Sequence, residues 1–314
     1  MTGEPKVRTV LGDIDPAELG VTNSHDHLFF ASKLLPDQEL DDPTRAIHEL
    51  LSFQGAGGAA VVQWTPFGLG RQTHKLAWMA EELGMHVVAA TGLHRAAHYS
   101  PTVLTKVIDD LVRVFVDDLV EGTPPTDRPY DPRTGPRAGL IKVAGGYHGV
   151  DSHARLTLTA AAVAHDETGA PIAVHLELGT AGLEVVDLLC QKMSVPPERV
   201  ILGHLNRNPD PMVQREIAET GVFLAFDGPS RANHATDPRL FDGLQALVEA
   251  GHGGQILLGG DTTTAAARYV AEGPGMRYLL TTLAPRLTKQ LGGDVVTAML
   301  VANPARAFAT SWLK

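Results

Sequence analysis

Short apolar runs rich in β-branched residues recur eight times along the chain, and amphipathic segments lie between them. Runs of this length and composition predict buried strands, whereas the segments between them have the apolar spacing of helices. The predicted strands are 22–28, 59–64, 87–91, 139–143, 172–175, 200–204, 222–226 and 256–260. The predicted helices are 44–54, 72–83, 104–120, 154–168, 183–193, 211–219 and 238–250. This alternation predicts a parallel sheet with right-handed crossovers.

The number of strand–helix units favours a closed barrel over an open sheet. Eight such units fit a (β/α)8 TIM barrel, whose usual length is about 250 residues. The alternative is an open doubly wound sheet, but no glycine-rich dinucleotide loop follows the first predicted strand. We therefore predict an α/β protein in which residues 1–314 form a single barrel domain. Residues 122–136 are predicted to be an exposed loop, and C-terminal helices within 285–308 are predicted to close the barrel.

Composition and charge argue against several classes of function. The formal net charge is −10 and there is no Lys/Arg cluster, so we expect no binding to nucleic acid. No run reaches the roughly 18 apolar residues of a membrane span, and the polar N-terminus lacks the apolar segment of a signal peptide. We therefore expect a cytoplasmic protein that does not bind membranes. The single cysteine, Cys190, excludes an intrachain disulfide and is predicted to be a small buried residue.

Two histidines, His25 and His27, lie near the end of the first predicted strand. Side chains at positions i and i+2 of a strand point to the same side, so both imidazoles can bind one metal ion. The carboxyl ends of the strands are where TIM barrels build their active sites. The alternative is a histidine pair that fills a polar core, and the pair alone does not decide between the two.

Three further polar residues end predicted strands. His175 and His204 end the fifth and sixth strands, and Asp261 follows the eighth. Neutral imidazole is the commonest protein ligand for zinc and similar ions. Taken singly, each histidine could be structural and Asp261 could cap the segment that follows it. At one face of a barrel, the set predicts a metal site in which Asp261 binds metal and can accept a proton.

Lys142 interrupts the apolar fourth strand. A buried ammonium costs stability unless it is paired, and nearby divalent cations would repel it. Reaction of the amine with carbon dioxide resolves both problems, because the resulting carbamate is an anion that can bridge two metals. The alternative is a lysine that reaches solvent at the strand end or forms a salt bridge.

The order of these six residues along the chain resembles the phosphotriesterase family of the amidohydrolase superfamily. Several stretches are also similar to that family: VTNSHDHL (21–28), TPFGLGR (65–71), GLIKVA (139–144), GHLNRNPD (203–210) and MLVANPARAF (299–308). The resemblance extends from about residue 9 to residue 308. It implies a TIM barrel of the metal-dependent hydrolase type.

The resemblance also implies a binuclear centre. His25, His27 and Asp261 would hold a buried metal, and His175 and His204 a more exposed one. Lys142, as N6-carboxylysine, and a hydroxide would bridge two divalent ions. Zinc is the expected metal, with Mn, Co or Fe as alternatives. The hydroxide would attack the substrate while Asp261 accepts its proton, and a homodimer is implied because members of the family are often dimers.

The loops after the strands are expected to bind a small-molecule substrate. The polar or cationic candidates in these loops are His94, Arg95, Tyr99, Arg231 and Arg268. The alternative for the arginines is that they are solvated or pair with the surplus acidic residues.

The polarity of these loops bears on the substrate. Aromatic residues are only 5% of the chain, which favours a lactone or related carboxylic ester, with weak phosphotriesterase activity, over a neutral apolar triester. The FDG (226–228) and GPGM (273–276) stretches resemble the lactonase branch, including its sugar lactonases, although 262–267 contains no cation for a phosphate. A phosphotriesterase proper and a hydrolase of N-acyl amides are alternatives. A non-catalytic binding barrel would predict a missing metal ligand, and all six are present.

Overall fold

The computed structural model describes residues 3–125, 128, 131–228, 230 and 233–313. Its strands are β1 (Lys6–Thr9), β2 (Gly12–Ile14), β3 (Thr22–Asp26), β4 (Ala60–Gln63), β5 (His86–Thr91), β6 (Leu140–Ala144), β7 (Ile172–His175), β8 (Val200–Gly203), β9 (Phe223–Asp227), β10 (Ile256–Gly259) and β11 (Ala309–Thr310).

Within the described residues, strands β3 to β10 form one sheet of eight strands in chain order, each parallel to the next. The sheet curls into a nearly closed barrel, because β10 returns to lie beside β3. Its ends are joined where the amides of Gly260 and Asp261 both donate to the carbonyl of His25 at 3.0 Å. The predicted (β/α)8 barrel is therefore confirmed, and its eight strands are the eight predicted runs.

Helices connect the strands on the outside of the barrel. They are α1 (Pro43–Gly55), α2 (Thr73–Leu83), α3 (Pro101–Val107), α4 (Leu111–Val120), α5 (Ser152–Thr168), α6 (Gly182–Val186), α7 (Pro211–Glu219), α8 (Leu240–Glu249), α9 (Ala284–Leu291), α10 (Gly293–Thr297) and α11 (Asn303–Phe308). Helix α6 continues as a wider π-helical segment, Asp187–Lys192. The single helix predicted over 104–120 is instead two helices, because Val107 has a φ of −120° and a 3-10 turn, Ile108–Asp110, follows it.

The barrel interior is packed with apolar side chains, so a polar site must lie at one of its ends. Alternate strand residues such as Val62, Ala90, Leu140 and Ile201 fill the interior together with Phe308 of α11. A second apolar cluster lies between the sheet and the helices. The amino end of the barrel is occupied by this packing, which leaves the carboxyl ends of the strands for the chemistry.

A small antiparallel sheet was not predicted from the sequence. Strand β1 pairs with β2 and also with β11, where Lys6 lies opposite Thr310 and Val7 opposite Ala309. These strands are too short to give a pattern in the sequence, and they depend on contacts between the two ends of the chain. Among the residues that the structure describes, no helix is long and apolar enough to cross a bilayer.

Candidate metal centre

Four predicted ligands converge at the carboxyl end of the barrel. His25, His27, His204 and Asp261 are all buried there. The Nε2 atoms of His25 and His27 lie 3.5 and 3.4 Å from Oδ1 of Asp261. Ligand atoms of His25, His204 and Asp261 all lie within 4.8 Å of one another, close enough to surround one ion.

The other two predicted ligands lie beside this group. The ring centres of His175 and His204 are 4.4 Å apart. Lys142 lies in β6, next to β7 in the barrel, with 2% of its surface exposed. Within the described part of the chain, its Nζ atom forms no hydrogen bond or ion pair. Burial of the ammonium lowers the pKa of Lys142 to about 7, so the neutral amine is accessible near neutral pH.

A fully buried carboxylate that was not predicted, Asp227 at the end of β9, holds two of the histidines. Its Oδ1 lies 2.9 Å from Nδ1 of His25, and its Oδ2 lies 2.5 Å from Nδ1 of His204. A carboxylate accepts hydrogen bonds, so both Nδ1 atoms carry the proton. The Nε2 atom of each ring is then left bare, which is the form that binds a metal.

Thr65 fixes the tautomer of His27 in the same way. Its hydroxyl donates to the carbonyl of Phe29 at 2.6 Å, which uses its only proton. The contact of 2.7 Å between that hydroxyl and Nδ1 of His27 must therefore be donated by the histidine. Nε2 of His27, which faces Asp261, is left bare.

Glu177 fixes the other tautomer, with the proton on Nε2, in His175. Its Oε2 atom lies 3.0 Å from Nε2 of His175, so that nitrogen donates and Nδ1 is left bare. The hydrogen bond from His175 is the main reason that the pKa of Glu177 falls to about 2, and Arg95, which forms an ion pair with Glu177, lowers it further. Burial lowers the pKa values of His27 and His175 to about 4, which favours their neutral, metal-binding forms.

Arg207 is a further residue that the sequence interpretation missed. Its Nη2 atom donates to Oδ2 of Asp261 at 2.5 Å, and its Nε atom donates to Asn233 at 2.7 Å. Asp261 therefore presents Oδ1 to His25 and His27 while Oδ2 is held by a cation. The sequence signal for Arg207 is its place within the family-like stretch 203–210, three residues after His204.

The residues present fit a centre of divalent metal ions. Four imidazoles each have one nitrogen engaged by a neighbouring side chain and one nitrogen free to bind a metal, one carboxylate faces two of them, and a buried amine beside them has no hydrogen-bond partner within the described residues. Neutral imidazole, carboxylate and an anionic lysine derivative are a suitable set for zinc and similar ions. The hydrogen-bond partners Asp227, Thr65 and Glu177 are the second layer that such centres require.

The structure separates the predicted substrate residues into two groups. His94 lies beside the centre, with its ring 4.6 Å from that of His175, and Arg95 lies nearby through its ion pair with Glu177. Tyr99 is 2% exposed, and its hydroxyl accepts from the amide of His94 and donates to the carbonyl of Phe67. It therefore supports the loop that follows β5 (residues 92–99, here called loop three) rather than facing substrate.

Arg268 also requires a correction, because it does not reach the substrate side. It is 2% exposed, and its Nη2 atom donates to the carbonyls of His27 and Leu28 at 2.7 Å. These bonds make it a support for the end of the first barrel strand. Arg231 lies outside the described residues, and its predicted role stays a prediction.

Comparison with known proteins agrees with this arrangement. The model of the phosphotriesterase family matches residues 5–308. The chain belongs to the phosphotriesterase family. A phospho-furanose lactonase from Mycoplasmopsis synoviae is 32% identical, with 96% of this chain and 91% of the relative covered. The structure of a lactonase from Listeria monocytogenes is similar, with a TM-score of 0.88, 29% identity, and coverage of 96% and 98%. A mouse N-acetyltaurine hydrolase is 26% identical, with coverage of 95% and 96%.

Proposed function

We propose that the chain is a metal-dependent hydrolase of carboxylic esters whose substrate is a lactone, with weak activity on phosphotriesters. The observation that carries the proposal is the set of four imidazoles with bare nitrogens that surround Asp261 and Lys142 at the carboxyl end of the barrel. This set belongs to a site for divalent ions and not to nucleophilic catalysis by a side chain. Lactonases among the relatives and similar structures support the choice of substrate.

The metal content is part of the proposal. His25, His27 and Asp261 would hold one ion, and His175 and His204 a second, with zinc as the expected metal. When bound, the ions would supply a Lewis acid for the substrate oxygen and a hydroxide nucleophile at neutral pH. The protein itself contributes Asp261, whose carboxylate can accept the proton of the nucleophile, and Arg207, which holds that carboxylate in place.

We propose that Lys142 is carboxylated and bridges the two ions. The neutral amine attacks the carbon of carbon dioxide, an N–C bond forms, and the nitrogen releases one proton to solvent. The product is a carbamate with one negative charge and two oxygen donors. The burial of Lys142 and its lack of a hydrogen-bond partner among the described residues support this step, since an ammonium there would be repelled by two divalent ions.

Metal analysis tests the centre. We expect two equivalents per chain for the wild type and loss of metal in Lys142→Ala, with Lys192→Ala as a control because Lys192 is an exposed lysine. Preparation without bicarbonate should reduce the metal content of the wild type, and this measurement does not depend on the folding of a variant. One equivalent per chain, with Lys142 dispensable, would contradict the bridged centre.

A substrate panel tests the reaction. We expect γ- or δ-lactones to be hydrolysed with a higher kcat/KM than paraoxon-like triesters or N-acyl amides. A kcat/KM for the triester that is tenfold higher than for the lactones would contradict the proposal. This ratio corresponds to about 1.4 kcal/mol of transition-state stabilisation. If the amides had the highest kcat/KM, the second candidate, an N-acyl amide hydrolase, would be favoured. The N-acetyltaurine hydrolases among the relatives support this candidate.

A further inference from the structure

We propose that His94 is a catalytic residue whose Nε2–H group donates a hydrogen bond to the carbonyl oxygen of the substrate and stabilises the negative charge that forms there. The inference rests on the proposed hydrolase function and assigns a role to one side chain of that site. It is carried by the hydrogen bonds that fix the ring of His94.

The tautomer of His94 is determined by its neighbour in the chain. The amide of Arg95 donates to Nδ1 of His94 at 2.7 Å. An atom that accepts a hydrogen bond from an N–H group carries no proton, so the proton of the neutral ring is on Nε2. An imidazolium would need a second proton on Nδ1, where the amide hydrogen of Arg95 already points. The ring is therefore a neutral hydrogen-bond donor.

The position of the ring is fixed as firmly as its tautomer. Its face stacks on His98, with ring centres 4.1 Å apart and planes 20° apart. The amide of His94 donates to the hydroxyl of Tyr99 at 2.8 Å, and its carbonyl lies 2.9 Å from Nε2 of His153. A donor that cannot reorient is what stabilisation of a transition state requires.

Loop three is also held close to the metal centre by its glycine. Gly92 has a φ of +110°, and a Cβ atom there would lie 1.9 Å from the carbonyl oxygen of Lys142. This close approach brings His94 next to His175, with ring centres 4.6 Å apart. His94 is 5% exposed, and its Nε2 atom has no hydrogen-bond partner among the described residues. A donor on a largely buried ring that has no protein partner among the described residues, beside a predicted metal ligand, is suited to an oxygen of the substrate.

Ester hydrolysis gives this donor a function. As the nucleophile adds to the carbonyl carbon, the C=O π electrons move to the oxygen, and negative charge forms that is absent in the ground state. A fixed donor at that oxygen stabilises the transition state more than the substrate, so it raises kcat. Removal of one such donor typically lowers kcat by about 10²- to 10³-fold.

Two amide variants separate the nitrogen atoms of the ring. The amide nitrogen of His94→Gln can occupy the position of Nε2, whereas that of His94→Asn can reach only the position of Nδ1. We expect His94→Asn to lose about 10²- to 10³-fold in kcat with little change in KM, and His94→Gln to retain most of the activity. His48→Asn, at an exposed histidine of α1, is the control, and all variants should keep the metal content of the wild type.

A measurement without turnover tests the same inference. Histidine ¹⁵N spectra of the wild-type protein loaded with zinc should assign an Nε2–H tautomer to His94, and this signal should be absent from His94→Asn. A proton on Nδ1, or a kcat of His94→Asn within about threefold of the wild type, would overturn the role of His94. If the wild type hydrolyses no lactone, ester or amide, the proposed function itself fails, which is a different outcome.

Discussion

The Oδ2 atom of Asp227 lies 2.5 Å from Nδ1 of His204, and the other oxygen of the same carboxylate lies 2.9 Å from Nδ1 of His25. One buried group therefore sets the tautomers of two histidines that, in the proposed centre, bind different metal ions. This shared support links the two halves of the site, because any change at Asp227 reaches both ligands at once.

Substitution of Asp227 by asparagine should impair one of the two metal positions. The amide has one acceptor oxygen, so one of the two histidines would face an N–H group and move its own proton to Nε2, the atom needed by the metal. We expect metal affinity to fall by about 10- to 100-fold, measured by competition with a chelator. Asp187→Asn is the control, because Asp187 is an exposed aspartate that pairs with Lys192. Unchanged affinity at both positions would refute this role of Asp227.

Substitution of Thr65 isolates the support of a single ligand. Thr65→Val has a similar shape but removes the hydroxyl that accepts from His27, whereas Thr65→Ser keeps it. We expect the valine variant to bind the metal held by His25, His27 and Asp261 about 10- to 100-fold less tightly and the serine variant to resemble the wild type. Equal metal binding by the two variants would show that the hydroxyl does not orient His27.

The sequence predicted the metal ligands better than the residues that hydrogen-bond to those ligands, and the reason is physical. His175 and His204 end apolar runs, and the spacing of His25 and His27 predicts that both lie on one side of a strand end, so local periodicity is sufficient to place them at the same end of the barrel. The partner of His25 lies 202 residues away, at Asp227, and no local pattern connects the two.

The loops show the same limit of sequence interpretation. Arg268 and Tyr99 have side chains that suit a substrate, but the structure buries both against main-chain groups. Arg207 lies in the family-like stretch 203–210, which gives it no role by itself, yet it contacts Asp261. Side-chain direction in a loop depends on contacts that form only when the barrel closes, so residue type alone cannot identify the substrate-binding residues.

Cys190 offers a pH-dependent test of the packing of the segment Asp187–Lys192. Burial disfavours the charged thiolate and raises the pKa of this thiol from 9.0 to about 11. The chain has a single cysteine, so alkylation reports on it directly. We expect the alkylation rate of the native protein to rise with a midpoint near pH 11, and that of the protein in urea to rise near pH 9.

The raised pKa of Cys190 also determines how the ionisation of this thiol affects the stability of the folded state. The folded state holds the proton of Cys190 more tightly than the unfolded state, so its contribution to stability is complete below pH 9 and is lost as the pH rises toward 11. Coincident midpoints for native and denatured protein would mean that the thiol is solvated in the folded state.

Asp118 in α4 should be the strongest single support of the structure behind loop three. Its carboxylate accepts from Arg71 at 2.6 Å, from Thr91 at 2.7 Å and from Arg133 at 2.5 Å, and both Asp118 and Arg71 are buried. Asp118→Ala removes the carboxylate from a buried guanidinium, which typically costs about 3–5 kcal/mol of unfolding free energy. Urea denaturation of the metal-loaded protein measures this cost.

An exposed ion pair provides the matched comparison for Asp118. Asp110 pairs with Arg113 near the start of the same helix, and both side chains are largely in solvent. Asp110→Ala should therefore change the unfolding free energy by less than about 1 kcal/mol. If the two variants were equally stable, the Arg71–Asp118 pair would contribute no more than a surface contact. The position of Thr91 would then depend on strand pairing alone. The same would hold for Gly92 and the loop that carries His94, which follow Thr91 in the chain.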